Sequence, residues 1–366
     1  MGIIIALVVI GIIIFFHEFG HYIFAKLAGC GVPQFSIGWG PKLFSFKRRE
    51  TRYSFNLFSI IGGYVKLLGG DEGEEEVVTE EERQDAQIYK LKRLDELSGL
   101  RKFSIYVGGV FVQVLLCMII FSIIVLCIGK PVPRVVIGGI ILGSPASNAG
   151  MEIGDVLLNI DGKDITSYRK MLSIVSTSAG KNLKFLVRRD GSMTEMVIVP
   201  MYNKNENRAI IGVSLGEFSE YTKEGIGLTD YLFGGAVLTF DIAKRTIEGI
   251  WQLVTKKVSI KAVKGPIGIV DLTNEIVKTG ILNLILYFAV INVNIAILNA
   301  LPFPALDGGH ILMLFIEKLF NIKIKYKIKK WINIAGFVLL ICFMLYITYN
   351  DVMALIDKYI TRKNLG

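Results

Sequence analysis

The chain has 366 residues, of which 52% are hydrophobic, with 41 lysines and arginines against 32 acidic residues and a net charge of +9. Its mean hydropathy of +0.53 excludes an ordinary soluble protein, because part of so much apolar mass must lie in a bilayer. The positive charge does not indicate nucleic acid, since the basic residues flank hydrophobic runs as topology signals do, and four scattered cysteines without a CxxC pair exclude a disulfide framework.

The first element, residues 3–27, opens with GIIIALVVIGIIIFF and continues into HEFGHYIF. It is long enough to span a membrane. It has neither a basic leader nor a small-residue cleavage site, so a retained span is expected, not a signal peptide. Residues 28–102 are polar, with strand-like, glycine-bearing pieces such as FSIGWGPKLFSFKRRETRYSF and IIGGYVKLLGG. The acidic run DEGEEEVVTEEE at 71–82 reads as a solvated linker. A second span is expected at 103–129. Residues 131–216 then alternate apolar and polar positions around a Gly/Pro/Asp-rich middle, which predicts a small β-rich soluble domain.

Residues 217–280 form an amphipathic juxtamembrane region. Tyr231, Leu232, Ile242, Ile247, Trp251 and Val254 interleave with Asp241, Lys244, Arg245 and Glu248, as in an interfacial or packed helix. A third apolar run, 281–315, is interrupted by NALPFPALDGG, and a fourth covers 331–349. The expected divisions are therefore 1–130, 131–216, 217–280 and 281–366.

Basic residues set the orientation. Arg83, Lys90, Lys92, Arg93, Arg101 and Lys102 precede the second span, and Lys318, Lys323, Lys325, Lys327, Lys329 and Lys330 precede the fourth. With four spans both loops fall on one side, which the positive-inside rule makes cytoplasmic. The N-terminus and the β-rich domain then face outside. His17 follows roughly 14 apolar residues, about 21 Å of helix, which places it past the midplane toward the cytoplasm.

His17 and His21 are four residues apart and share one helix face. Two imidazoles at that spacing can chelate one Zn²⁺, and Glu18 beside the first can take a proton from an attacking water, the HExxH pattern of zinc hydrolases. A pair of satisfied core histidines is the plain alternative. Inside a membrane span that alternative weakens, because charged groups there cost about 2.5–3.5 kcal/mol each on insertion scales and persist for function. A catalytic zinc wants a third protein ligand and an open position. His310 is one candidate. Asp307 in LPFPALDGGH is the better one: it is a carboxylate in an apolar run, Gly308 and Gly309 permit close backbone approach, and Pro302 and Pro304 break the helix. Such a break is tolerated in a membrane only where it is buried in protein or lines a wet cavity. Asn299 can donate an amide hydrogen bond to an oxyanion or bridge two helices.

These residues resemble the site-2 proteases, intramembrane zinc metalloproteases, and in particular the bacterial regulator-of-sigma-E branch. FFHEFGHYIFAKLAG looks like that family's first catalytic helix and NALPFPALDGGH like its NxxPxPxLDGG motif. FSIGWGPKLFSF, FSIIGGYVKLLGG and KAVKGPIGIV resemble further family segments, and GSPASNAGMEIGDVLLNIDGKDI at 143–165 resembles a protease-associated PDZ domain. The resemblance implies a polytopic α-helical membrane protein with four transmembrane helices, an inserted extracytoplasmic PDZ domain and a membrane-associated β-hairpin. It implies zinc on His17, His21 and Asp307, Glu18 as general base, and Asn299 stabilising the tetrahedral intermediate. It makes GGYVKLLGG the hairpin, with Gly63, Tyr64, Val65 and Lys66 as a strand to which substrate adds. The physics agrees: peptide bonds inside a transmembrane helix are closed to attack, and an edge strand can hold an unwound segment by its backbone.

The implied partners are single-span membrane proteins, such as anti-sigma factors already shortened elsewhere or remnant signal peptides. The lipid bilayer and peptide C-termini at the PDZ domain complete the set, and no nucleic acid is implied. The implied location is the bacterial plasma membrane. Enterobacterial relatives carry two tandem PDZ domains, whereas residues 131–216 have room for one, as in Gram-positive forms. Two rival readings remain: an inactive membrane scaffold built around the PDZ domain, and a zinc hydrolase of a non-peptide membrane substrate. Zinc content tests the first and peptide-bond cleavage the second.

Overall fold

The computed structural model describes residues 2–70, 79–203, 207–223 and 226–364. Most of the acidic run at 71–82 lies outside the described residues. The first helix, α1 (Gly2–Ala28), is long enough for a span and stops where Gly29 takes a positive φ of 76°. The amide of Cys30 then closes back on the carbonyl of Ala25 at 2.9 Å, the 6→1 bond that ends many helices on a glycine.

Strands β1 (Gln34–Arg48) and β2 (Thr51–Lys66) pair antiparallel, but each is bent. Residues 34–37 pair with 52–55 on one side and with 63–66 on the other, while 44–48 pair with 51–55. The result is a small curved sheet whose outer strands are 63–66 and 44–48. It is anchored to α1 by Lys26, which bonds Glu50 and lies 2.6 Å from Thr51 Oγ1, and by the hydroxyls of Tyr22 and Tyr53 at 2.6 Å.

Helix α2 (Glu80–Ile88) begins inside the acidic run. The expectation of linker through residue 82 is corrected here, because Thr79 and Glu82 form a capping box that nucleates a helix. Its acidic side chains meet the sheet: Asp85 lies 2.6 Å from Lys47, and Glu82 lies 3.1 Å from Lys66. The second span is α3 (Gly99–Ile128).

The inserted unit, residues 124–232, is a compact body of its own. It contains β3 (Lys130–Ile140), α4 (Pro145–Asn148), β4 (Val156–Ile160), β5 (Lys163–Asp164), α5 (Tyr168–Val175), β6 (Leu183–Arg189), β7 (Ser192–Ile198), β8 (Met201–Asn203), β9 (Arg208–Ile210) and β10 (Val213–Thr222). The main sheet has the order β10-β3-β4-β6-β7, with β5 on β4. Alternate positions of these strands bury Val135, Ile137, Leu157, Phe185 and Val187 against α5 residues Met171 and Val175, as half-buried strands require. This is the small β-rich domain that the alternation predicts. It runs past the expected limit at 216, because β10 stays paired to β3 as far as Thr222 opposite Lys130.

One buried charge in this domain has a readable energy. Asp155 is buried and accepts two bonds from Arg189, Nε to Oδ1 at 2.8 Å and Nη2 to Oδ2 at 2.7 Å. Burial alone would raise its carboxyl. The Arg189 bonds and the Glu152 amide overcome that and hold it below the usual carboxylate range. Removing the partner of a buried charge costs about 3–5 kcal/mol, and Arg189 is partly exposed, so Arg189→Ala is expected to destabilise this domain by about 3 kcal/mol at pH 7. Because the folded value is depressed, the contribution is present above an unfolded carboxyl pKa of about 3.9. It is lost as pH falls through the folded value. The gap between parent and variant, read by limited proteolysis of the full chain, should therefore close below about pH 4.

The chain continues with α6 (Leu228–Val254), α7 (Pro266–Val277), α8 (Ile281–Ala300), α9 (Asp307–Leu319) and α10 (Tyr326–Asn364). Among the described residues four helices are long and apolar enough to cross a membrane: α1, α3, α8 and residues Lys327–Ile356 of α10. Helix α6 is not among them, consistent with its interleaved charges. Asp351 on α10 is buried and accepts the amides of Gly265 and Gly268 at 3.2 and 2.8 Å, which caps the start of α7 with a carboxylate. The expected break in the third apolar run falls between α8 and α9, where Pro302, Pro304 and Ala305 (φ 70°) form the turn.

Candidate metal centre

His17 and His21 sit one turn apart on α1 and face α3. Glycines make that approach possible: a Cβ on Gly20 would fall 2.2 Å from the Gly108 carbonyl oxygen. A Cβ on Gly109 would fall 2.6 Å from His21 Nε2 and 2.7 Å from His17 Cε1, so both imidazoles lie against bare α3 backbone. Asp307 is the first residue of α9. Here too glycine decides the geometry, since a Cβ on Gly308 or Gly309 would fall 2.1 Å from the Leu301 oxygen or 2.3 Å from the Phe303 oxygen. The prolyl turn can therefore fold back on the helix start and aim the carboxylate at the histidines.

The three side chains converge. His17 Nε2 lies 3.3 Å from Asp307 Oδ2, His21 Nε2 lies 3.3 Å from the same oxygen, and the two Nε2 atoms are 3.3 Å apart. A tetrahedral zinc with bonds of about 2.0–2.2 Å separates its ligand atoms by about 3.3–3.5 Å. The outer ring nitrogens are engaged: His21 Nδ1 lies 2.8 Å from the Ile105 carbonyl and His17 Nδ1 3.1 Å from Gln113 Oε1. Donation from Nδ1 leaves both Nε2 atoms as lone pairs pointing at a carboxylate oxygen. Asp307 Oδ2 is buried without a hydrogen-bond donor. Three acceptor atoms facing one another are mutually repulsive unless a cation sits among them, so the donor set fits zinc. Among the described residues these are the one group of His, Cys, Asp and Glu side chains arranged to hold a metal ion.

The centre opens on a cavity of about 750 Å³ that Glu18, Asn299, Tyr64, Val65, Lys66 and His310 also line. The Val65 amide hydrogen-bonds the Glu18 carboxylate, which ties the edge strand to α1. Gly63 is needed there, because a Cβ would fall 2.9 Å from the Ser36 oxygen and 3.4 Å from Glu18 Cγ. Asn299 on α8 brings Nδ2 to 3.5 Å from His17, beside the metal position but too far for a firm hydrogen bond. His310 does not join the triangle; its ring stacks on Tyr106 at 5.2 Å in the cavity wall. Of the two candidates for the third ligand, the structure brings Asp307 to the histidines.

Gly108, Gly109 and Gln113 join the site without standing out in the sequence as functional residues. Their signal was present in YVGGVFVQVLL: a glycine pair for close helix contact, then a lone amide in an apolar span.

Two histidines on a membrane-length helix and a converging aspartate, opening on a cavity beside a β-strand, are the features of a membrane-embedded metalloprotease. The chain belongs to peptidase family M50, whose sequence pattern matches residues 5–343. It is 27% identical to the regulator of sigma-W protease RasP of Bacillus subtilis, over 95% of this chain and 97% of that protein. It is 28% identical to the zinc metalloprotease RasP of Oceanobacillus iheyensis, over 94% and 97%. It is also 32% identical, over 98% of this chain and all of the relative, to a Fusobacterium nucleatum protein provisionally designated a zinc metalloprotease. Among solved structures it matches the PDZ domain of the SdrC-like protein of Listeria monocytogenes, at 18% identity and a TM-score of 0.21, over 22% of this chain and 85% of that one.

Proposed function

We propose that this metalloprotease cuts single-span membrane proteins within or near the bilayer, with His17, His21 and Asp307 as the zinc ligands. The observation that carries the reading is the close triangle of His17 Nε2, His21 Nε2 and Asp307 Oδ2, opening into one cavity that strand residues Tyr64, Val65 and Lys66 also line. A bound zinc would supply Lewis-acid activation of water and of the scissile carbonyl. Glu18 takes a proton from the attacking water and delivers it to the leaving amine. The Asn299 amide donates to the oxyanion. Residues Gly63, Tyr64, Val65 and Lys66 hold the substrate extended, since a helical segment hides its peptide bonds. That edge favours peptides over a lipid substrate, and the intact triad argues against an inactive scaffold.

The test uses purified protein reconstituted in lipid vesicles with a single-span peptide. Cleavage inside the span, stopped by a chelator and restored by zinc, is expected. Zinc-loaded protein that leaves the peptide intact but releases fatty acids from the vesicles would replace this reading with the lipid-hydrolase one.

RasP of Bacillus subtilis is named as a regulator of sigma-W; by analogy the substrates here are of the anti-sigma-factor or remnant signal-peptide type. The PDZ domain has a groove between α5 and residues 208–215, lined by Met171, Arg208 and Ile210 among others, that suits peptide C-termini. The lysine-rich loops support an orientation with residues 28–102 and 316–330 in the cytoplasm and the PDZ domain outside the plasma membrane. In a cysteine-free background, a membrane-impermeant thiol reagent on intact cells should label Ser192→Cys and spare Arg83→Cys. The reverse pattern would invert the orientation.

A further inference from the structure

Behind the metal centre lies a hydrogen-bonded chain of side chains that the proposed mechanism does not use. Gln113 and Cys117 on α3 and Asn292 on α8 are all buried. Asn292 Nδ2 lies 3.0 Å from the main-chain oxygen of Gln113 and 2.9 Å from Cys117 Sγ. Cys117 Sγ in turn lies 3.4 Å from the Ala289 oxygen. Gln113 Nε2 lies 3.2 Å from Asn292 Oδ1, and Gln113 Oε1 lies 3.1 Å from His17 Nδ1.

The direction of this chain is fixed at its far end. A main-chain carbonyl can only accept, so the Asn292 nitrogen must face the Gln113 carbonyl. Its Oδ1 must then face Gln113, which turns the Gln113 nitrogen toward Asn292 and the Gln113 oxygen toward His17. An amide oxygen can only accept, so the proton of the His17 ring sits on Nδ1. The lone pair is left on Nε2, the atom 3.3 Å from Asp307 Oδ2. Cys117 agrees with this sense, because its thiol donates to the Ala289 carbonyl and its sulfur accepts from Asn292. The opposite tautomer would aim a proton at the metal position and leave two acceptors, Nδ1 and Oε1, in contact. His21 needs no such device, since Nδ1 reaches the Ile105 carbonyl directly.

We infer that Gln113 is a positioning residue that sets the tautomer and orientation of His17 as a zinc ligand, and that Asn292 sets the orientation of Gln113. The inference rests on the zinc reading of His17, His21 and Asp307 and extends it to two further helices. Partners of this kind change metal affinity about 10–100-fold when removed.

The experiment measures zinc affinity of the purified full-length chain by competition with a chromophoric chelator. Gln113→Leu removes the acceptor facing His17 and is expected to weaken zinc binding about 10–100-fold. Gln113→Glu keeps that acceptor while losing the bond to Asn292, and its affinity should stay near the parent's. Asn292→Leu leaves Gln113 in place but unoriented, and should fall between the two. Equal affinity in the Leu variant and the parent overturns the inference. Equal losses in Gln113→Leu and Gln113→Glu overturn it as well, since Gln113 would then act by packing alone. Should Gln113→Leu fail to fold, Gln113→Glu and Asn292→Leu still decide: a loss in the first with none in the second is the reverse of the expected order. A parent that binds no zinc fails the zinc reading itself, which is a separate result.

Discussion

Glu18→Gln is expected to lower peptide-bond cleavage at least about a hundredfold, the usual contribution of a general base, while zinc stays at about one per chain. The reasons are geometric. Glu18 is about 100° round the helix from His17 at 3.6 residues per turn, so it flanks the histidine face without joining the ligand triangle. It lines the same cavity and accepts the Val65 amide. Glutamine keeps the size and can still accept that amide through its oxygen, so the strand edge should stay in place. An amide cannot take up the proton of the attacking water, and the chemical step fails. Since binding is left intact, the variant should also hold substrate long enough for co-purification. Near-parental turnover in zinc-loaded Glu18→Gln would show that another group moves the proton.

Gly109→Ala should abolish zinc binding in a chain that still inserts, with affinity falling at least about a hundredfold, the upper end for residues behind a metal ligand. The added Cβ would fall 2.6 Å from His21 Nε2, 2.7 Å from His17 Cε1 and 2.8 Å from His17 Nδ1. The helices cannot part to admit it, because α1 and α3 already touch at Gly20 and Gly108. The rings cannot turn away without losing the bonds to Gln113 and Ile105 and breaking the triangle with Asp307. Gly249→Ala on α6, where a Cβ meets nothing within 4 Å, is the matched control and should keep its zinc. Metal analysis of the two purified variants checks the difference. Retained zinc in Gly109→Ala would mean that the helix contact is looser than the glycines imply.

Both predictions depend on groups the sequence exposes to different degrees. Glu18 is legible because helical periodicity relates it to His17 and His21 without reference to the rest of the fold. Gly109 is legible only as a small residue in an apolar run. Its meaning comes from a helix that lies elsewhere in the chain, and no local pattern says which residues it will face. The same holds for the curved sheet. Alternation in 34–66 predicts strands, but the bends that let residues 34–37 pair on both sides depend on where Lys26, Tyr22 and Glu18 hold the hairpin against α1.

By itself, then, the sequence determined the four spans, the inserted β-rich domain, the break before Asp307 and the grouping of His17, Glu18 and His21 on one helix. Each of these follows from local physics: length and hydropathy, period-two alternation, proline at a helix end, and the cost of a charge in an apolar run. Tertiary structure alone decided that Asp307 and not His310 meets the two histidines, since both lie in the first turn of α9 and His310 is turned onto Tyr106. It also decided that glycines at the α1–α3 crossing admit the imidazoles, and that an amide on α3, held by another on α8, assigns the His17 proton. Those outcomes depend on the relative placement of helices far apart in sequence, which packing fixes through close contacts and hydrogen bonds that leave no periodic trace in any one of them.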